Sequence, residues 1–137
     1  MSGHGTFVWN ELMTSDVDRA EAFYGALLGW RFERVNATNP RQPATPDGPS
    51  YTLIRAGDRE NGGMMSLDDA GMAGLPSHWT SYIAVDDVDA AVRETERLGG
   101  SVRVPPFDIP TVGRMAVIAD PMGAVVCLMT EVPGEGC

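Results

Sequence analysis

One unit, an extended run that enters an aspartate-opened helix closed by glycine, occurs twice in this chain. A repeat of that kind restricts the possible folds more than any single motif does. The first copy runs from Phe7 to Thr14 and on through Ser15-Asp-Val-Asp-Arg-Ala-Glu-Ala-Phe-Tyr-Gly-Ala-Leu-Leu-Gly29. The second runs from Trp79 to Val85 and on through Asp86-Asp-Val-Asp-Ala-Ala-Val-Arg-Glu-Thr-Glu-Arg-Leu-Gly99. Trp9 and Trp79 stand 70 positions apart, and Gly29 and Gly99 share that offset. Register held over half a chain reads as internal duplication. With 137 residues the chain has the length of one domain. The repeat therefore predicts two halves of one fold within residues 1–137, a first module over 7–67 and a second over 78–131.

Each module reads as β-α-β-β-β, which makes the fold class α+β. In the first strand Phe7, Trp9, Glu11 and Met13 point one way and Val8, Asn10, Leu12 and Thr14 the other, so both faces carry apolar groups. One face suits a core and the other a cavity. Ser15 or Asp16 can cap the helix that follows, and Ser15 with Asp18 has capping-box spacing. Ala20, Phe23, Leu27 and Leu28 are expected to form the buried stripe, with Tyr24 at its border. Strands follow at Trp30 to Val35, Tyr51 to Ala56 and Gly62 to Leu67. Between the first two, Asn36 to Ser50 carries four prolines and reads as a surface loop or a pocket cover.

The second module repeats this order. Asp86 or Asp87 caps a helix over Val88 to Leu98, packed through Val88, Ala91, Val92, Thr95 and Leu98. A brief strand over Ser101 to Val104 is expected to stop at Pro105-Pro106. A hairpin of Arg114 to Ala119 and Ala124 to Glu131 turns at Asp120-Pro-Met-Gly123. Two such sheets side by side curve into a mixed sheet enclosing a cup, with the helices outside.

Charge and cysteine usage exclude several classes. Ten basic residues against nineteen acidic ones give a net charge of −9, with no cationic cluster to follow a phosphate backbone, so nucleic acid is not an expected partner. No apolar run is long enough to span a bilayer and no targeting pattern is seen, which predicts a cytoplasmic protein with no membrane partner. Cys127 and Cys137 make neither a disulfide framework nor a thiol zinc site. No phosphate-cradling glycine loop, dinucleotide fingerprint or hydrolase triad spacing occurs.

The residues with chemical potential are few. Glu11, between Trp9 and Met13 on the inward face, must be hydrogen-bonded or have a raised pKa if buried, which suits it to ligand binding or proton transfer. It is the catalytic candidate. Trp9 and Trp79 are either core or apolar walls with indole donors for a planar ligand. Tyr82 is a packed strand residue or a cavity hydroxyl. Arg114 pairs with an acid or binds an anionic ligand. Methionines, Met129 among them, fill gaps or line a permissive pocket, and Tyr51 completes the ligand-binding set. His78 and His4 read as edge and terminal residues.

Three stretches together resemble the vicinal oxygen chelate superfamily, which includes glyoxalase I, extradiol dioxygenases and bleomycin-binding proteins. They are Ser15-Asp-Val-Asp-Arg-Ala-Glu-Ala-Phe-Tyr-Gly-Ala-Leu-Leu-Gly-Trp30, Val85-Asp-Asp-Val-Asp-Ala-Ala-Val92 and Asp120-Pro-Met-Gly-Ala-Val-Val-Cys-Leu128. The resemblance implies metal ligands from the first and last strand of each half. Those positions fall here at Trp9, near Trp79 or Thr80, at Cys127, and within Gly62 to Leu67, where the usual His and Glu are missing. Indole and thioether do not replace imidazole or carboxylate around Mg, Mn, Zn or Fe. The expectation is a protein with no metal and no cofactor that binds a small organic molecule for sequestration or resistance, and pairs as a homodimer. The alternatives are a metal-independent isomerase, cyclase or lyase using Glu11, and a divergent metal-dependent glyoxalase or dioxygenase. A small buried thiol at Cys127 fills the position of the missing terminal ligand.

Overall fold

A computed structural model describes residues 3–37, 42–44, 50–69, 72, 74–109 and 112–131. The elements are β1 (Phe7–Thr14), α1 (Val17–Leu28), β2 (Arg31–Asn36), β3 (Ser50–Ala56), β4 (Arg59–Ser66), β5 (His78–Ala84), α2 (Val88–Arg97), β6 (Ser101–Ile109), β7 (Gly113–Ala119) and β8 (Val125–Glu131). The chain divides into two compact units, Trp9–Trp79 and Met1–Val8 with Thr80–Cys137.

In the unit Trp9–Trp79 the strand order is β2-β3-β4-β1. β1 and β4 run parallel, with Glu11 opposite Gly63 and Leu12 opposite Met64, and the other pairs are antiparallel. Leu12, Ile54 and Met64 form the core under α1, whose Val17, Ala20 and Tyr24 pack on them with Trp30 and Phe32. Contacts at 17, 20 and 24 follow the helical repeat. The expected stripe is only partly realised, since Ala20 packs inward while Phe23, Leu27 and Leu28 are exposed. The helix meets the sheet along the line that includes Tyr24, which turns Phe23 and Leu27 away.

In the other unit the order is β5-β8-β7-β6, with β5 parallel to β8 and the rest antiparallel. The N-terminal segment joins this unit through Gly5 N–H donating to Ala84 O (2.7 Å) and Ala84 N–H donating to Thr6 O (2.8 Å). Both units thus carry the same element order and the same pairing scheme.

Local chemistry explains the element ends. Asp16 and Asp87, not Ser15 or Asp86, are the N-caps, accepting from Arg19 N–H (3.0 Å) and Ala90 N–H (3.2 Å). Gly29 closes α1 at φ 72°, a conformation a side chain resists. Asp120 accepts from the amides of Met122 and Ala124, both at 2.9 Å, and so shapes the β7–β8 turn.

Three expectations are corrected. β4 begins at Arg59, ahead of the expected start at Gly62. Pro105-Pro106 does not stop β6, which continues to Ile109. The register shifts between Val104 and Phe107, and β6 lies at the end of its unit's strand order, where the missing amide donors are tolerated. In α2 the buried positions are Val88 and Thr95, while Leu98 is exposed. Of the Asn36 to Ser50 loop, the described part includes a bridge between Val35 and Pro43 and a bond from Asn36 N–H to Gln42 O. The rest of that loop, Pro110 and Cys137 lie outside the described residues.

Candidate functional site

Strand alternation assigns the faces of the β2-β3-β4-β1 sheet. Leu12, Ile54 and Met64 face α1, so Trp9, Glu11, Met13, Tyr51, Leu53 and Gly63 occupy the opposite face. A chain of hydrogen bonds runs across it. Trp9 Nε1–H donates to Tyr51 Oη at 2.9 Å, and Tyr51 Oη–H donates to Glu11 Oε2 at 2.5 Å. Glu11 is only 7% exposed, with Met13 and Leu53 buried beside it. A buried carboxylate needs such partners, because stripping it of water without compensation costs several kcal/mol or more.

Gly63 makes the arrangement sterically possible. It lies between Glu11 on β1 and Leu53 on β3, and a Cβ built on it would fall 1.6 Å from Tyr51 Oη. The missing side chain is therefore the gap through which the Tyr51 phenol crosses β4 to reach Glu11. In the sequence, Gly62-Gly63 belongs to no phosphate-binding or dinucleotide motif and reads as permissive backbone. The signal for a larger role was a β-strand glycine opposite the one carboxylate of β1.

Burial, then the charge of Glu11 and the bond to it, push the Tyr51 phenol well above its ordinary 10.0, while the bond from Trp9 pulls the other way. Tyr51 therefore keeps its proton at neutral pH and remains a donor. Glu11 is the acceptor at the end of this series of bonds.

The other candidates fall elsewhere. Trp79 is 43% exposed and packs with Tyr24 and Trp30, its Nε1–H donating to Tyr24 Oη at 3.2 Å. The offset of 70 had paired Trp79 with Trp9. The helix caps, Asp16 and Asp87, are instead 71 apart. Counted back from the caps, Tyr82 takes the place of Glu11 and Thr80 that of Trp9. The pairing agrees: Glu11 stands opposite Gly63 on a parallel neighbour, and Tyr82 opposite Cys127 on another.

Tyr82, Cys127 and Met129 share one face of the second unit with Met115, and all four are buried. Arg114 is on the opposite face, held by Asp89 of α2 through two bonds of 2.8 and 3.1 Å and by Asp108 at 3.1 Å. These bonds, to Asp89 first, raise the guanidinium pKa further and lower that of Asp89. Arg114 thus realises the acid-pairing alternative. His78 bonds Pro76 O through Nδ1 (2.8 Å), and His4 Nδ1 accepts from Asp86 N–H (2.9 Å).

Among the described residues no group of three or more His, Cys, Asp or Glu converges to hold a metal. The groups bonded in line with Glu11, the Tyr51 phenol and beyond it the Trp9 indole, are neither imidazole nor carboxylate, the usual ligands of a catalytic divalent ion. No helix among the described residues is long and apolar enough to cross a membrane.

Comparison with known proteins places these features in context. Residues 6–128 match the family model described as Glyoxalase/Bleomycin resistance protein/Dioxygenase superfamily. The chain is 40% identical over 131 residues to a Mycobacterium bovis protein named "Putative glyoxylase CFP32", covering 96% of this chain and 46% of that protein. It is 32% identical over 140 residues to the anthracycline biosynthesis protein DnrV of Streptomyces peucetius, covering 96% and 49%. The chain thus spans about half the length of these relatives. The crystal structure of methylmalonyl-CoA epimerase from Mycobacterium tuberculosis superimposes with a TM-score of 0.60 at 15% identity, over 97% of this chain and 93% of that one. A superfamily member from Vibrio splendidus 12B01 gives 0.58 at 9% identity, over 92% and 100%. These likenesses establish the glyoxalase-like α+β fold.

Proposed function

We propose, from the premise that this chain belongs to the Glyoxalase/Bleomycin resistance protein/Dioxygenase superfamily, that it binds a small organic molecule without a catalytic metal. The ligand sits against the face carrying Trp9, Tyr51 and Glu11, and sequestration or resistance is the role that such binding serves. The observation that carries this reading is the bond from the Tyr51 phenol to the buried Glu11 carboxylate, on the sheet face opposite α1. Glu11 supplies an acceptor for a ligand donor, Trp9 an indole wall, and Met13 and Leu53 an apolar floor. The relatives' names, a glyoxylase and an anthracycline biosynthesis protein, support a small organic ligand and go no further. Within the other unit, Tyr82, Cys127 and Met129 form a buried face of their own and are its ligand-binding candidates. The modules are taken as 7–67 and 78–131, the working form as a cytoplasmic homodimer.

Calorimetry against a panel of metabolites and antibiotics tests this. Saturable binding by the wild type, weakened at least tenfold in Glu11→Gln with the fold retained, is the expected result. A folded wild type that binds nothing in the panel overturns the reading.

The same bond supports a second reading, a metal-independent isomerase, cyclase or lyase. Here Glu11 takes a proton from a carbon acid, and in an isomerisation returns it at another position, while Tyr51 holds the carboxylate in place. In that case Glu11→Gln keeps ligand affinity and loses turnover; unchanged turnover removes the acid/base role.

A further inference from the structure

The α1-facing side of the Trp9–Trp79 unit carries a second set of residues, separate from the Glu11 face and not used by the proposed function. A cavity of about 320 Å³ is lined by Asn10, Trp30, Ile54, Asn61, Gly62 and Trp79. Its volume is at the lower end for small-molecule sites. Three properties of the lining narrow what it can hold.

The first is aromatic geometry. The Trp30 and Trp79 rings meet nearly at right angles, 81° apart with centroids 6.1 Å distant. Tyr24 stacks on Trp30 at 5.4 Å and accepts the Trp79 Nε1–H bond, so both indoles are braced from behind. A braced corner of two indoles offers one ring face to stack on and a second ring to close the edge of a flat ligand. The second property is polarity without charge. Two carboxamides, Asn10 and Asn61, are the polar side chains of the wall, and no lining residue is charged. The Asn61 carboxamide presents both a donor and an acceptor, which matches a ligand edge carrying the same pair. An ionic ligand would give up hydration with no counter-charge to replace it.

The third property is the floor. Gly62 is buried, and a Cβ on it would lie 2.4 Å from the Asn10 carbonyl oxygen. The β1 backbone thus approaches β4 too closely for a side chain at position 62, and the cavity wall there is backbone.

We propose that this cavity is a second ligand site, which takes an uncharged, planar heteroaromatic molecule bearing an amide-like donor and acceptor edge. It requires nothing of the Glu11 face, so the two sites stand or fall separately.

Nicotinamide and nicotinate form a suitable probe pair, since they share a ring and differ in charge at neutral pH. Ligand-observed NMR on the full chain should show saturable nicotinamide binding in the millimolar range, at least tenfold tighter than nicotinate. Trp79→Leu and the exposed-site variant Asn61→Ala should each weaken it about tenfold. Glu11→Gln should leave it unchanged. Three results overturn the proposal. They are no saturable binding below about 10 mM, a loss caused by Glu11→Gln and not by Asn61→Ala, or equal binding of the two probes. Sedimentation of the same proteins covers a different occupant. If the wild type is a dimer, Trp79→Leu a monomer, and neither binds nicotinamide, the indole corner belongs to an interface between copies and the proposal fails.

Discussion

Glu11 with Gly63 in one unit, and Tyr82 with Cys127 in the other, occupy matching places on matching strands. In the first pair a carboxylate faces a gap, and the gap is filled by a phenol from β3 that bonds the carboxylate. In the second the gap is filled in place, by the Cys127 side chain, beside buried Met115 and Met129. The comparison teaches that repeated topology does not repeat chemistry. One missing side chain at position 63 decides whether a third strand can reach across to the residue opposite.

The sharpest way to break that comparison is to fill the gap. Gly63→Ala forces the Tyr51 ring out of its path and should destabilise the protein by about 3 kcal/mol. Adding Tyr51→Ala to it should cost less than the sum of the two single changes, because the collision is then gone. Urea denaturation of the three variants measures both. Additive losses would mean that the glycine matters for some other reason.

Next in size is Tyr51→Phe, which keeps the ring and removes the bond to Glu11. It leaves a buried carboxylate short of a donor and should cost about 2 kcal/mol by the same measurement. Cys127→Ala, at the place matching Gly63, should cost less than this and leave the behaviour of Glu11 unaltered.

The pH dependence of stability sharpens the point. The folded-state pKa of Tyr51 is raised above its ordinary 10.0. Up to that value folded and unfolded states hold the phenol proton alike, and the stability it contributes is fully present. As pH rises further the unfolded chain releases the proton first, so stability falls towards the folded pKa by up to about 1.4 kcal/mol per pH unit. Thermal unfolding from pH 9 upward should show this loss in the wild type and a reduced loss in Tyr51→Phe. Equal slopes in both would sink the assignment.

The smallest expected effects lie where the units do repeat. Asp16→Ala and Asp87→Ala each remove an equivalent cap and should each cost about 1 kcal/mol. A large inequality between them would show that even the local signals are used differently in the two units.

The sequence by itself determined the elements that depend on neighbours along the chain. Aspartate caps, closing glycines, the β7–β8 turn and the alternation in β1 are local, and together they make the repeated β-α-β-β-β order legible. They also picked out Glu11, since a lone acid among apolar neighbours on one strand face stands out without any knowledge of packing. The tertiary structure alone decided what surrounds that acid. Tyr51 is forty positions away from Glu11, and its reach depends on the register of three strands and on an absent side chain at Gly63. Likewise Trp79 matched Trp9 by its offset in the chain, yet it packs with Tyr24 and Trp30, because counting from helix caps shifts the repeat by one residue. In a strand one residue is the difference between the two faces of a sheet.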